Sequence, residues 1–489
     1  MKTGHLLLIL LAFAVLPFAT AGTALADGAS SGGDVQIAQT LGPRELTVIV
    51  RRIDAVPGPV RVEVVTHAGS PAGVLELRLR PTGTDAPADD LTPAGTVTST
   101  GVIELGDRPG LYGGTFTVDR PGPWELAVDD GQRVALIPFI VPAPVPGWGE
   151  NVIYGGFAGA GVFLLLAIVV AARSRRAWPP LVPAAGAVAA VSVSVTAALL
   201  APSVPVPPPP GSQLDPTISA VTDPLAAARQ ASALPELSRP PVNLGLRAPA
   251  AVAGEAVELE LSFLDTSTGR PVDDLLVHHD AFAHLVVIGP SGQLWHLHPV
   301  RVAPGTYRAT FVPTQDGTYA AAAELSRRGG GVQLVRSATG FEVGGTGPSQ
   351  PPPPGPGPRT VDGTDVDLSV ATAGEATTIT ARVGTDADLQ PWLGMAGHLI
   401  MVGPIPEHTD VGAAATTATT WAHGHAMAPV SNTVTDPPDE TVAAFGPEVR
   451  FTHTFGAPGR YLVWVQVQRD YTVLTIPATV DVPATKENS

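Results

Sequence analysis

The sequence has no cysteine and only two lysines, Lys2 and Lys486, among 489 residues. The absence of cysteine excludes disulfides, thiolate metal ligands and cysteine nucleophiles. Acidic residues outnumber basic ones by 44 to 28, which gives a formal net charge of −16. Because the sequence has no cluster of basic residues that could bind a phosphate backbone, we expect no nucleic-acid partner. Sequence motifs of nucleotide-binding and hydrolytic enzymes are also missing, so the sequence predicts no enzyme.

Three apolar stretches predict export and membrane insertion. Residues 1–26 have the order of a secretory signal peptide: charge, apolar run and small residues. Residues 151–172 and 181–201 carry no charge and are long enough to span a bilayer as two helices. The arginines of the intervening loop, 173–180, predict that this loop is cytoplasmic and that both large flanking regions are extracytoplasmic. Because residues 181–201 are only weakly hydrophobic, a buried or interfacial segment is the alternative for them.

The rest of the chain reads as three modules of short β-strands bounded by glycine and proline turns. We therefore predict an all-β fold of three immunoglobulin-like antiparallel sandwiches plus a two-helix transmembrane hairpin. Proline-rich tracts predict extended spacers between the modules. The predicted modules are 34–142, 242–343 and 362–483, with linkers at 202–241 and 344–361.

One strand–turn–strand pattern recurs in all three modules. A glycine precedes an aromatic residue by two positions each time, and the aromatic residues are Trp124, Tyr319 and Tyr461. The pattern predicts a glycine turn followed by a strand whose first aromatic side chain plugs the sandwich.

Ten of the twelve histidines follow residue 242. In the second module, the strand-like segments 284–289 and 293–298 flank a Pro-Ser-Gly turn, and a three-residue hairpin loop is favoured by that glycine. In this register His284 faces His298, and His296 lies on the same side. Three imidazoles on one surface predict a metal site. A two-residue loop would put His284 on the opposite face, and a structural hydrogen-bond network is the alternative to a metal site.

The third module varies this arrangement. His398 opens the corresponding strand, and His423, His425 and Met427 alternate so that they share one face of a strand. The long segment between them leaves the register open, and a flexible polar loop is the alternative. Imidazole and thioether ligands without thiolate favour copper over zinc, because thioether is a soft ligand suited to Cu(I). Met395, three residues before His398, is close in sequence to this set.

The remaining histidines give weaker indications. His278 and His279 either cap a loop or contribute ligands. His67, His408 and His453 are predicted to be hydrogen-bonded surface residues.

The segments His284–Val287 and His296–Pro299 carry the pattern H-L-[IV]-V, a tight turn, then H-x-H-P. This pattern resembles a family of bacterial extracytoplasmic modules, over about 240–343 and more loosely over 365–483. The segment 391–398 is similar to the family's stretch before its first histidine. The resemblance implies a β-sandwich associated with the handling of heavy metals, copper above all.

The first module, through Pro121–Leu126, resembles the FixH/YtkA-like β-sandwich family. That resemblance implies a link to copper supply for haem-copper oxidases. The module lacks the family's Met/His cluster, so no metal role is implied for it.

Together these observations predict a membrane-anchored extracytoplasmic protein that binds copper for storage, sensing or delivery. The predicted ligands are His284, His296, His298, His398, His423, His425 and Met427. One alternative is a structural or interaction protein of the cell envelope that presents immunoglobulin-like modules to an envelope partner. Another is an oxidase-assembly factor with a membrane-protein partner.

Overall fold

The chain folds into three β-sandwiches and a pair of long apolar helices, which confirms the predicted fold class. The computed structural model describes residues 34–51, 53, 56–82, 95–141, 148–200, 241–328, 330–348, 350–373, 376–427, 440–443 and 445–484. The predicted signal peptide, 1–26, lies outside the described residues, as does linker 202–241 except for its last residue.

Module 1 consists of two four-stranded antiparallel sheets, ordered β1-β2-β3-β6 and β5-β4-β7-β8. Their strands are β1 (Val35–Leu41), β2 (Arg44–Val50), β3 (Gly58–Thr66), β4 (Gly73–Pro81), β5 (Ser99–Leu105), β6 (Gly110–Val118), β7 (Gly122–Asp129) and β8 (Val134–Val141).

Module 2 pairs a four-stranded sheet, β15-β16-β11-β9, with a seven-stranded sheet built around β19-β17-β13-β14. In β11 the alternation of Val257, Leu259 and Leu261 with polar residues turns one face to the sandwich core. The strands are β9 (Val242–Arg247), β10 (Ala251–Val252), β11 (Val257–Asp265), β12 (Leu275–Leu276), β13 (Ala283–Ile288), β14 (Leu294–Leu297), β15 (Val300–Ala303), β16 (Thr306–Phe311), β17 (Gly317–Arg327), β18 (Gly331–Arg336) and β19 (Phe341–Gly344).

Module 3 has sheets ordered β20-β21-β22-β26 and β23-β27-β24-β25, with β28 paired to β27. Its strands are β20 (Gly357–Val361), β21 (Thr364–Ala373), β22 (Ala376–Val383), β23 (Leu389–Gln390), β24 (Met395–Gly403), β25 (Thr420–Met427), β26 (Glu448–His453), β27 (Gly459–Arg469) and β28 (Thr472–Val482). Because β20 lies within the predicted linker 344–361, the module begins five residues earlier than predicted, at residue 357.

The predicted aromatic plug is present in every module. Trp124, Tyr319 and Tyr461 are fully buried, and each side chain donates a hydrogen bond to the carbonyl four residues earlier, at 2.8–3.0 Å. The glycines two residues before them have φ of 117°, 129° and 135°, a region that favours glycine.

Strands β13 and β24 are buried along their whole length because both of their faces are covered. Leu285 and Val287 point into the core of module 2, whereas Val286 and Ile288 pack in a separate cluster with Ile400 and other residues of module 3. The sheets of modules 2 and 3 that contain β13 and β24 therefore pack against each other, in addition to closing their own sandwiches.

A short helix, α3 (Val411–Thr417), lies in the long segment between β24 and β25 and closes this interface. The Val411 N–H donates to the carbonyl of Pro290 at 2.8 Å. A Cβ atom at Gly412 would lie 1.9 Å from the carbonyl oxygen of Thr318, so only glycine allows this approach.

The two long helices are α1 (Trp148–Arg173) and α2 (Leu181–Leu200), and each is long and apolar enough to cross a membrane. They form a hairpin in which Ser194 Oγ donates to the carbonyl of Ile153 at 3.0 Å. Most of their apolar side chains are exposed, Leu165 to 65% and Leu199 to 75%, so the hairpin requires cover from lipid or from another protein.

Candidate metal centre

The structure confirms the hairpin register predicted for module 2. The Gly289 N–H donates to the carbonyl of Gln293 at 2.9 Å, and Gly292 takes φ 81°. The register Leu285↔Leu297 and Val286↔His296 continues to His284 opposite His298. His284, His296 and His298, here called triad A, are all buried, and one ring nitrogen from each lies within 4.8 Å of the others.

In module 3 the segment that contains His423 and His425 forms strand β25, and its pairing with β24 gives the register that the sequence left undetermined. His398 lies directly opposite His425, and His423 is two residues along on the same face. His398, His423 and His425, here called triad B, also place one ring nitrogen each within 4.8 Å. Met427 ends the strand opposite Met395, but the Met427 side chain lies outside the described part, so its role as a ligand stays a prediction.

The two triads lie together in the interface between modules 2 and 3. Their strands are the pairs β13–β14 and β24–β25, in which β13 and β24 are buried throughout. The histidines continue the apolar cluster described above. Ring centroids of His423 and His296 are 5.0 Å apart, and those of His423 and His284 are 5.2 Å apart. The sequence indicated two separate sites, whereas the fold brings all six predicted histidines into one cluster.

The tautomers in triad A follow from the hydrogen-bond partners of the rings. His284 Nε2 lies 2.9 Å from the carbonyl oxygen of His278 and must donate to it, which leaves the lone pair on Nδ1. Gln466 Nε2 donates to Thr475 Oγ1 at 2.9 Å, so Gln466 Oε1 accepts from His296 Nδ1, also at 2.9 Å. The lone pair of His296 is therefore on Nε2.

Triad B repeats this pattern. His398 Nε2 donates to the carbonyl of Trp392 at 3.1 Å, and His423 Nδ1 donates to Glu324 Oε1 at 3.2 Å. The lone pairs are therefore on His398 Nδ1 and His423 Nε2.

In each triad these two lone pairs face each other across 3.2 Å, from His284 Nδ1 to His296 Nε2 and from His398 Nδ1 to His423 Nε2. Two facing lone pairs repel unless a cation lies between or beside them. Nitrogen ligands about 2.0–2.1 Å from one ion lie about 2.9–3.4 Å apart at angles between square-planar and tetrahedral. The observed separation thus matches the one expected for two ligands of one metal ion.

The third histidine of each triad has a buried Nε2 that has no hydrogen-bond partner among the described residues. His298 Nδ1 donates a short hydrogen bond to Glu45 of module 1, which directs Nε2 of His298 into the triad. Burial opposes ionisation of Glu45, but its ion pair and hydrogen bond with His298 hold the pKa of Glu45 below its ordinary value. Module 1 thus completes triad A, a contribution that the sequence did not indicate.

Four histidines of the cluster are held in the neutral form that binds metals. Burial, reinforced by the neighbouring imidazoles, keeps the pKa of His284, His296 and His398 well below the ordinary 6.5. The same causes lower the pKa of His425 to about 2. At neutral pH His284 and His296 therefore carry no additional proton that could bridge their facing nitrogens.

A third group lies beside triad B. His278, His279 and Glu324 place ligand atoms within 4.8 Å of one another, and the rings of His279 and His425 have centroids 3.9 Å apart. Burial opposes ionisation of Glu324, but its interactions with His278 and His423 hold its pKa well below the ordinary value. Glu324 was missed in the sequence, although a single acid within the apolar strand β17 is a visible signal.

The histidines predicted to lie at the surface differ among themselves. His408 is exposed, as predicted, and His453 is half-buried. The prediction for His67 was wrong: it is only 4% exposed, with Nε2 at 3.7 Å from Glu440 Oε2. The reason is that modules 1 and 3 meet there, where the Ala68 N–H also donates to the carbonyl of Tyr471.

Comparisons with known proteins leave the function open. A family model described as a domain of unknown function, DUF8832, matches residues 359–484, which is module 3. No curated protein matches the chain.

Similar solved structures include a tandem repeat from the extending region of a large adhesion protein (10% identity, 92% of this chain, 75% of that chain, TM-score 0.16) and the Escherichia coli adhesin FdeC (11%, 94%, 98%, 0.16). Fibronectin(III)-like modules of Clostridium thermocellum CbhA match at 12% identity over 50% of this chain and 100% of theirs, with TM-score 0.12. At such TM-scores these likenesses carry no argument about function.

Proposed function

We propose that this protein binds transition-metal ions, copper in particular, in the histidine cluster between modules 2 and 3. The observation that carries the proposal is the pair of facing lone pairs, 3.2 Å apart, in each triad. A structural histidine network would donate a proton across each of these contacts. Here the carbonyl, amide and carboxylate partners of the same rings favour a ring proton on the other nitrogen, which supports a metal site.

Copper is favoured by the donor set. Both triads offer imidazole nitrogens only, and among divalent first-row ions Cu(II) binds nitrogen sites most tightly. The chain has no thiolate to favour zinc. Thioether from Met395 or Met427, which pair in register at the end of β24 and β25, would add a soft ligand suited to Cu(I).

The helical hairpin supports membrane anchoring of this centre, because its apolar side chains are exposed along α1 and α2. The arginines between the helices favour a cytoplasmic loop and hence an extracytoplasmic centre. An oxidising compartment would suit a site built without cysteine. We propose storage, sensing or delivery of copper as the use of the site.

The test is a titration of the full-length chain in detergent micelles with Cu(II), Cu(I) and Zn(II), in which bound metal is measured by calorimetry and metal analysis. The full chain is required because Glu45 of module 1 holds His298. We expect tight, stoichiometric copper binding that is reduced in His296→Ala/His298→Ala and in His423→Ala/His425→Ala. The matched control is His408→Ala, an exposed histidine outside the cluster.

Absence of binding for all three ions would overturn the proposal. The cluster would then be structural, and the alternative of an envelope interaction protein built from β-sandwiches would become the better explanation.

A further inference from the structure

We propose that triads A and B form one dinuclear centre, in which two metal ions lie side by side across the interface between modules 2 and 3 and bind cooperatively. This inference rests on the proposed function and extends it, because two independent sites, one for each module, would satisfy metal binding equally well.

The distances between ring centroids within the triads and between them overlap. Within triads A and B the ring centroids are 4.5–5.4 Å apart. Between them, His423 lies 5.0 Å from His296 and 5.2 Å from His284, and His398 lies 5.8 Å from His296. His423 is therefore as close to triad A as to its own partners. The proposed centre is of the two-metal kind, in which ions lie about 3.5–4 Å apart.

Each module also supplies a side chain that orients a histidine in the triad of the other module. Gln466, beside His398 in the module 3 sheet, accepts from His296 of module 2. Glu324, beside His284 in the module 2 sheet, accepts from His423 of module 3. Each module thus fixes the tautomer of a histidine in the other module's triad. Such outer partners tune metal affinity, so a change in one triad is transmitted to the other.

Two carboxylates compensate the charge of two adjacent cations. Glu45 contacts His298 of triad A, and Glu324 contacts His423 of triad B. Their placement on opposite triads puts one negative charge next to each proposed ion, which reduces the electrostatic cost of burying both.

The interface that holds the triads together can be perturbed without touching a histidine. Gly412 of helix α3 lies against the backbone of module 2, and any side chain there would meet the Thr318 carbonyl oxygen at 1.9 Å. Gly456, also in module 3, has no described atom within 4 Å of a Cβ placed on it and serves as the matched control.

The experiment loads the full-length chain with Cu(II) in detergent, counts ions by elemental analysis and records the electron paramagnetic resonance spectrum. We expect two ions per chain in the triads, a weakened mononuclear signal and a half-field transition from coupled spins. Gly412→Ala should lose the half-field transition, and Gly456→Ala should keep it. Copper binding with the full intensity of isolated Cu(II) ions would overturn the dinuclear centre while leaving the proposed function intact.

A second measurement compares affinities. Removal of triad A by His296→Ala/His298→Ala should weaken Cu(II) binding at triad B by about tenfold or more, and the reverse should hold for His423→Ala/His425→Ala. Unchanged affinity at the remaining triad would show two independent sites and overturn the inference. Failure of the wild-type chain to bind any Cu(II) would overturn both the inference and the proposed function.

Discussion

Triads A and B share the same arrangement of ring nitrogens but differ in what surrounds them. In both, the first histidine donates from Nε2 to the carbonyl six residues earlier, and the second keeps its lone pair on Nε2. Triad A is formed by a tight hairpin, and its third histidine, His298, is held by module 1 through Glu45. Triad B is formed by two strands that are separated in sequence by the segment containing α3. The hydrogen-bond partner of the second histidine also differs: it is a side-chain amide for His296 and a carboxylate for His423.

The comparison shows which features strand geometry fixes and which it leaves free. The histidines alternate on paired strands, so the same register reproduces the same first set of contacts in both modules. The outer partners come from neighbouring modules, and they differ because each triad has different neighbours. Experiments that treat the two triads separately can therefore distinguish these contributions.

The largest expected effect is the pH dependence of the metal-free chain. Because burial keeps His284, His296, His398 and His425 neutral in the folded state, the unfolded chain binds more protons below the ordinary pKa of 6.5. Stability is therefore complete above about pH 6.5 and falls as the pH drops below it, by on the order of 1.4 kcal/mol per pH unit for each histidine. Urea unfolding of chelator-treated protein at about pH 7.5 and about pH 5.5 measures this.

His284→Gln in triad A and His398→Gln in triad B should each flatten that pH dependence by the contribution of one histidine. His408→Gln, at an exposed position, should leave it unchanged. Equal stability of the wild-type chain at both pH values would contradict the buried neutral state of the cluster.

The next effect concerns Trp392, whose side chain contacts both triads. Its ring centroid lies 5.3 Å from His296 and 4.9 Å from His398, and it packs with Ala38 and Ala281 where the three modules meet. Trp392→Ala should lower the free energy of unfolding by about 3–5 kcal/mol, because it leaves a cavity at this junction. Denaturant unfolding measures the loss, and Trp392→Phe should lose clearly less. A loss below about 1 kcal/mol for alanine would speak against this packing role.

The smallest effect separates the triads. Glu324→Gln should weaken copper binding at triad B, and Glu45→Gln should weaken it at triad A, each by roughly 10–100-fold, because a carboxylate raises the basicity of the imidazole that it orients. Competition titrations in chains that keep only one triad give the affinities. Glu104→Gln, an exposed residue of β5, is the control. If each carboxylate affected both triads equally, the assignment of one partner to one triad would be wrong.

Much of the fold was predictable because its causes are local. Alternating strands, glycine turns and aromatic plugs recur in the sequence of each module, and the Pro-Ser-Gly turn correctly predicted that His284 faces His298. For module 3 the sequence predicted the shared face of His423 and His425 but not the register, because the segment that contains α3 has no turn signal that fixes a loop length.

The sequence by itself determined the all-β modules, the apolar hairpin and the two histidine sets, since these depend on side-chain alternation and turns within a few residues. Only the tertiary structure decided that the two sets meet, that Glu45 holds His298 and that Gln466 holds His296. Those partners are 253 and 170 residues apart in the chain. No local pattern encodes such contacts, because they depend on which sandwich faces pack together once each module has buried its own core.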